Sequence, residues 1–359
     1  PSGGPHGIEP ISPTASVFRC ILRLADGLEI SVGRPLMQTR VDRVAGEVTR
    51  AVVVTPVASI EVENPVELVT GDFIRVSADL VALKDDLSGA WKITPPPGWS
   101  INEPPPPVEH LHRGEHKTLD VHLQHSPEAL DGPLHFAFSC SQGSSDRTMH
   151  VIEHPHILPQ TWYSPADVRL VRLQMAAHSG TVGYVDGAGD DVGKALKLLG
   201  YDVVHIDPAT ASPPDLEKCG AIVTGIRAYN TVAALARLQP LLLAYVEKGG
   251  TLLVQYNTNG SDLVLDAKQI GPYPFVLTRD RVTVEEAPPT FLAPTHPLWT
   301  TPNKLGPADF EGWVQERGLY FAGELDPKYT ALISWNDPGE KPLNGALIAC
   351  DYGKGRFIY

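Results

Sequence analysis

Between Gly180 and Gly260, short apolar runs alternate with stretches of helical period, and no other part of the chain restricts the fold as much. GTVGYVDGAGDD leads to VGKALKLLG, YDVVHID, CGAIVTGIRAYN, a long apolar helix and GGTLLVQYNTNG. Parallel strands joined by crossover helices leave this pattern in a sequence. Strands are expected at TVGYVDG (181–187), YDVVHID, GAIVTG and TLLVQY. Asp190 is placed as the cap of the first helix, VGKALKLLG, which Gly200 ends. The helix from Thr231 to Lys248 carries an apolar stripe at Val232, Leu235, Leu238, Leu242 and Tyr245 and stops at Gly249-Gly250. Beyond Gly260, PYPFVLTRDRVTVEEAPPTFLAPTHPLW reads as loop plus an added strand. YTALISW, GALIACDY and RFIY close the domain as strands.

Upstream, the text is strand-like. Residues 1–50 comprise a Gly/Pro-rich opening, PSGGPHGIEPISPTA, and a pattern in which FRCILRL and LEISVG flank Asp26-Gly27, a good hairpin turn signal. This segment reads as a linker followed by the strand remnant of a preceding domain. Residues 51–156 predict an antiparallel, Ig-like β-sandwich with strands at VASIEVEN, DFIRVSADLVAL, GAWKITPPPGWSI, KTLDVHLQH, LHFAFSCS and TMHVIEH. Seven of the chain's 34 prolines stand here in two runs, TPPPGW and EPPPPV. Proline removes a ladder donor, so such runs belong at edges and loops. Trp91 and Trp99 are expected between the sheets, the alternative being a sugar-stacking platform. Residues 157–359 hold the α/β domain.

The totals exclude several function classes. Hydrophobic residues make up 42% of the 359 and charged residues 20%, which describes a soluble, core-forming chain of two or three domains. A net charge of −13, from 42 acids against 29 bases, argues against nucleic acid or an anionic membrane as partner. No apolar run approaches the ~18–20 residues of a membrane span. Cys20, Cys140, Cys219 and Cys350 form no C-x-x-C pair, which argues against a zinc–thiolate site or a disulfide framework. The chain starts without methionine and stops at FIY inside a strand, as an excerpt of a longer polypeptide would.

In an open parallel sheet, ligands bind beyond the carboxyl ends of the strands. The candidate residues there are Asp186, Arg227, Tyr229, Asn230, Asn257 and Asn259. Gly187-Ala188-Gly189 opens a helix, but Asp190 and Asp191 follow at once and would repel a phosphate. Hydrolase or amidotransferase chemistry needs a Cys or Ser on a tight strand-to-helix elbow beside a His. The turn after the fourth strand offers Tyr256, Asn257, Thr258 and Asn259 instead, so no catalytic residue is assigned. His110, His112, His116, His122 and His125 form a visible cluster on a loop and strand edge. Strand neighbours alternate faces, so no metal site is assigned there. Two charged groups stand among apolar residues: Arg279, Arg281, Glu285 and Glu286 in RDRVTVEE, and Gln315, Glu316 and Arg317 beside Trp313 in WVQERGLYF. They read either as an internal Glu–Arg network or as a polar pocket for a carbohydrate or carboxylate.

GYVDGAGDDVGKALKLLGYDV, GIRAYNT, YNTNG, PYPF, RDRVTVEEA, HPLWTTPNK, DFEGWVQERGLYF and the YGKG turn together resemble the C-terminal half of large multidomain PIG-L/LmbE-type deacetylases, relatives of N-acetylglucosaminyl deacetylases. RVDRVAGEVTRAVVVTP and HILPQTW are similar to the β-rich middle region of the same proteins. The resemblance implies a flavodoxin-like, class I glutamine-amidotransferase-like domain without that fold's catalytic cysteine. It also implies that the deacetylase chemistry resides in a separate N-terminal domain, where a His-Pro-Asp-Asp motif and a later His hold zinc. That motif is missing here, since the His-Pro pairs are followed by His156 and Leu298. No cofactor is therefore expected in this chain, and zinc is expected in the deacetylase domain. The family context implies secretion or periplasmic export.

The leading expectation is a non-catalytic accessory region that binds glycan or supports the catalytic domain of the same polypeptide. The rivals are a small-ligand enzyme at the strand ends, using Asp186, Arg227, Glu316 and Arg317, and a structural module with an assembly partner.

Overall fold

A computed structural model describes residues 17–44, 46–154, 156–173, 175–176, 180–313 and 318–359. Contacts divide the chain after Leu173 into two units. Strands far outnumber helices. Among the described residues, no helix is long and apolar enough to cross a membrane.

In chain order the first unit carries β1 (Val17–Arg23), β2 (Glu29–Pro35), β3 (Met37–Asp42), β4 (Gly46–Ala51), β5 (Ala58–Val62), β6 (Val66–Val69), β7 (Phe73–Ala82), β8 (Leu87–Thr94), β9 (Trp99–Ile101), β10 (Val108–Leu111), β11 (His116–His125), β12 (Gly132–Cys140), β13 (Gly143–Ser145), β14 (Arg147–Ile152), β15 (Gln160–Pro165) and β16 (Asp167–Arg172). One sheet runs β10-β8-β12-β16-β6, with β13 on β12, and the other runs β5-β7-β11-β9. Alternation decides which face is buried. Val76, Ala78, Leu80 and Ala82 of β7 point inward, as do Leu119, Val121 and Leu123 of β11 and Leu134, Phe136 and Phe138 of β12. Trp91 and Trp99 are both buried. Trp91 meets Phe136 and Phe138 edge-on at 6.4 and 6.2 Å, and the Trp99 indole N–H donates to the Leu130 carbonyl at 2.9 Å. They are core residues, not a sugar platform.

The expected boundary at residue 156 is too early. β16 pairs antiparallel with β12 and parallel with β6, and its Val168 and Leu170 are fully buried in the sandwich. Pro155, Pro159 and Pro165 interrupt the pattern there, which hid the alternation of DVRLVR from a reading by period. At the other end, residues 1–15, read as a linker, lie outside the described residues. The Asp26-Gly27 turn forms as expected, with Gly27 at φ +86° and Asp26 Oδ1 accepting from Leu28 N–H at 3.1 Å. Phe18, Leu22, Ile30 and Val32 share one face of that hairpin with Cys20 and are exposed.

The second unit carries β17 (Thr181–Val185), α1 (Val192–Leu198), β18 (Asp202–His205), α2 (Pro213–Leu216), β19 (Ala221–Thr224), α3 (Ala228–Thr231), α4 (Leu235–Lys248), β20 (Thr251–Val254), β21 (Val276–Leu277), β22 (Arg281–Val282), β23 (Thr290–Phe291), α5 (Pro297–Thr300), β24 (Gly318–Leu319), β25 (Ala322–Gly323), β26 (Thr330–Trp335), β27 (Leu343–Tyr352) and β28 (Gly355–Ile358). Its main sheet has the order β18-β17-β19-β20-β28-β27-β26-β23. The strands from β18 to β28 run parallel, and those beyond run antiparallel, so the sheet is mixed rather than wholly parallel. Leu235, Leu238, Leu242 and Tyr245 of α4 are buried as the stripe requires, against Leu252, Ile348 and Phe357. The helix expected from Thr231 instead begins at Leu235, because Val232 takes an extended conformation after the short α3.

Phe138 is fully buried and Phe73 is 67% exposed. Phe138→Ala is expected to destabilise the chain by about 3–5 kcal/mol, and Phe73→Ala by under about 0.5 kcal/mol. Urea unfolding followed by tryptophan fluorescence measures both.

Candidate functional site

The carboxyl ends of β17 and β19 approach so closely that only glycine fits. A Cβ on Gly187 would lie 2.2 Å from the Ile226 carbonyl oxygen, and one on Gly225 would lie 2.7 Å from the Gly187 nitrogen. Ala188 N–H donates to the Ile226 carbonyl at 2.8 Å, lacing the two loops together. Asp190 closes the joint. Its Oδ1 accepts from Val192 N–H and its Oδ2 from Ile226 N–H, both at 2.9 Å, and the Tyr184 hydroxyl donates to Oδ1. The N-cap position of α1 belongs to Asp191, yet Asp190 satisfies the first orphan amide. Partial burial works to raise the Asp190 carboxyl, but the bonds from Tyr184, Ile226 and Val192 outweigh it and hold the group below the ordinary carboxylate range. Burial and the Asp190 contact push the Tyr184 phenol up. The Gly-Ala-Gly segment is thus an element of packing.

The strand-to-helix turn with strained backbone lies after β19, not after β20. Arg227 occupies it at φ +54°, ψ 25°, a left-handed conformation that is costly for a side chain. An arginine there cannot act as nucleophile. Its guanidinium reaches Asp262 at 3.9 Å, and its N–H donates to the Tyr256 carbonyl at 2.8 Å.

Most of the other rim candidates prove structural. Tyr229 is fully buried and its hydroxyl meets Gln239, so its assignment as a ligand group is corrected to core. Asn257, also fully buried, accepts from Tyr229 N–H at 2.9 Å and donates to the Gln255 carbonyl at 2.9 Å. Asn230 exchanges two bonds with the backbone of Thr258, at 2.9 and 3.0 Å. Asn259 donates to the Leu277 carbonyl at 2.6 Å. These amides satisfy loop backbone that would otherwise be unpaired, and Asn259, which is exposed, also borders a pocket with Gly260 and Leu277. Asp186 is exposed and contacts His205 Nδ1 at 3.0 Å.

The two buried thiols and two of the imidazoles are committed as well. Burial pushes the Cys350 thiol up to about 12 and raises that of Cys219, which makes both poor nucleophiles. His110 pairs with Asp86 at 2.7 Å, while His125 contacts the carbonyls of Ser126 and Gly71. Among the described residues, no three His, Cys, Asp or Glu side chains converge as a metal site.

A concavity does open on the sheet face beside this rim. It holds about 670 Å³ and lies over β20, β27 and β28, walled by the paired β22 and β24. Its apolar lining includes Leu253, Val282, Phe321, Leu347 and Ile358, and its polar lining Gln255, Arg281, Glu285 and Tyr320. Arg281, Glu285 and Trp313, all singled out in the sequence, line it. Trp313 is 43% exposed and leans on Phe310 at 5.0 Å and 39°. Asp337 fixes the wall by accepting from the amides of Thr283 and Val284, both at 2.9 Å. Tyr320 stands at the cleft in left-handed conformation, φ +52°. Arg279 is exposed and does not line the cleft, and Glu316 and Arg317 lie outside the described residues. The reading by period missed Gln255, Tyr256 and Tyr359, which enter the cleft from strand ends that the sequence marks only as apolar runs.

No family model matches the chain. No curated protein matches it either. Among solved structures, the native α2-macroglobulin of Escherichia coli is 18% identical over 42% of this chain and 9% of its own, with a TM-score of 0.25. The VesB protease of Vibrio cholerae is 13% identical over 32% of this chain and 31% of its own, with a TM-score of 0.19. The multi-modular chitinase ChiW of a Paenibacillus is 10% identical over 56% of this chain and 18% of its own, with a TM-score of 0.22. The chain thus spans under a third of each of these proteins, and likenesses this slight carry no argument about function.

Asp190→Asn replaces one of the two accepting oxygens with a donor and removes the charge, and at neutral pH it is expected to lower stability by about 1–2 kcal/mol, allowing for partial exposure. Because the folded carboxyl titrates below its ordinary value, its contribution is complete above the unfolded value of about 3.9. It is lost as pH falls through the lower, folded value. Thermal unfolding against pH should therefore show the gap between wild type and variant constant near neutrality and closing in acid.

Proposed function

We propose that this chain is a non-catalytic, carbohydrate-recognising region that accompanies a zinc-dependent N-acetyl-sugar deacetylase domain, as its resemblance to the PIG-L/LmbE-type proteins implies. The cleft beneath Trp313 carries the reading. It has the volume of a small-molecule site, an apolar floor, and a few polar groups able to fix orientation. A half-exposed indole at its mouth offers a flat apolar face for a pyranose ring, and Arg281 and Glu285 offer a donor and an acceptor for sugar hydroxyls.

The finer fold assignments belong to the same proposal. A flavodoxin-like, glutamine-amidotransferase-like second unit is supported by the order β18-β17-β19-β20-β28, which is 2-1-3-4-5 along the chain. An Ig-like first unit is supported by two sheets sharing a core with Trp91 between them. The non-catalytic part is supported by Arg227 in the strained turn and by thiols raised through burial. Among the described residues no His, Cys, Asp or Glu cluster is suited to zinc, and the proposal assigns no chemical step to them.

Calorimetric titration of the intact chain with N-acetylglucosamine oligosaccharides is expected to show saturable binding. Trp313→Ala and Arg281→Ala should each weaken it at least about tenfold, roughly 1.4 kcal/mol, with unfolding midpoints unchanged. Binding that survives both substitutions would contradict the site. Hydrolysis of an N-acetyl sugar by the metal-stripped chain would contradict the accessory role.

A further inference from the structure

A second concavity in the same unit shares no residue with the cleft. It holds about 280 Å³ and is bounded by His296, Lys328, Thr330 and Arg356 over Cys350. Arg356 stands in register with Thr251, the first residue of β20, so this pocket lies at the amino ends of the parallel strands. The cleft, with Gln255 and Tyr256, lies at their carboxyl ends.

The chemistry of the pocket is that of an anion receptor. Leu298 N–H donates to His296 Nδ1 at 3.2 Å, which places the proton of the neutral ring on Nε2 and makes that atom a donor. The Lys328 ammonium lies 4.2 Å from the centroid of the Tyr273 ring, a cation–π contact that holds it at the pocket wall. Arg356 contributes a guanidinium and Thr330 a hydroxyl. The one carboxylate of the lining, Asp351, is 80% exposed and meets Arg356 at Nε, 3.4 Å away. Burial first, and then the charge of Arg356, hold the His296 imidazole below its ordinary range, with Asp351 pulling the other way. A lysine, an arginine paired with an exposed carboxylate and a neutral N–H donor therefore line one small concavity of a chain whose net charge is −13. An oxyanion entering this concavity would accept charge-assisted hydrogen bonds from the ammonium and the guanidinium, and a further bond from the imidazole N–H. We propose that the pocket of His296, Lys328 and Arg356 binds a small oxyanion, either a carboxylate or a phosphate group.

The test is a titration of the intact chain with inorganic phosphate and, in parallel, with acetate. It is followed by the imidazole resonances of His296, against sodium chloride at matched ionic strength. The expected result is a saturable shift with at least one oxyanion, absent with chloride, together with a rise in the His296 pKa. Lys328→Gln and Arg356→Gln should each weaken the response about tenfold. Trp313→Ala should leave it unchanged, which separates this pocket from the carbohydrate cleft. Tighter phosphate binding would assign a phosphorylated ligand, and tighter acetate binding a carboxylated one. A shift no larger than that with chloride, or one equal in wild type and in both charge variants folded to the same unfolding midpoint, would overturn the proposal.

Discussion

The second unit depends on the joint between the ends of β17 and β19. Glycine is needed at residues 187 and 225 because two backbones pass within contact distance, and Asp190 ties Ile226, Val192 and Tyr184 to that crossing. A carboxylate accepting from backbone amides and a phenol is well solvated by protein, so its charge costs little where it stands. The same bonds fill the place where an open parallel sheet usually receives its ligand. The Gly-Ala-Gly segment, which the sequence already set apart from phosphate binding by its two aspartates, is a clamp.

The remaining rim follows the same logic. Loops leaving the strands must satisfy their own amides and carbonyls, and Asn230, Asn257 and Asn259 do so here. With these side chains engaged by backbone, Tyr229 in the core and Arg227 in the strained turn, an open concavity remains over the neighbouring sheet face. There β22 and β24 stand over small and apolar residues of β27 and β28, and the cleft stays open. Aromatic packing through Phe310 to Phe291 and Trp335 gives Trp313 a firm backing without covering it.

Period was a good guide wherever one face of an element is buried. The inward residues of β7, β11 and β12 alternate in the sequence as they do in the sandwich, and the stripe of α4 is the buried one. It failed where other forces decide. Prolines disguised the stretch before β16, so the first unit was drawn too short. A short helix and an extended Val232 precede α4, because residues around Asn230 are bound to the Thr258 backbone instead of continuing the helix. Side-chain type alone could not tell a rim asparagine that binds ligand from one that binds its own loop. The cleft is built from segments near residues 254, 282, 320, 346 and 358, too far apart in the chain for any spacing to announce it. Only the anomaly of charges among aromatics, in RDRVTVEE and WVQERGLYF, pointed toward it.

Whether the joint of β17 and β19 is closed to ligand while the cleft over β20, β27 and β28 takes the sugar can be examined directly by mapping amide and indole shifts of the intact, isotope-labelled chain as an N-acetylglucosamine oligosaccharide is added. The account predicts that the Trp313 indole and the amides of Tyr320 and Gly345 move in a saturable way while those of Gly187, Ile226 and Asn257 stay fixed. Movement confined to Gly187, Ile226 and Asn257, with Trp313 unperturbed, would contradict it.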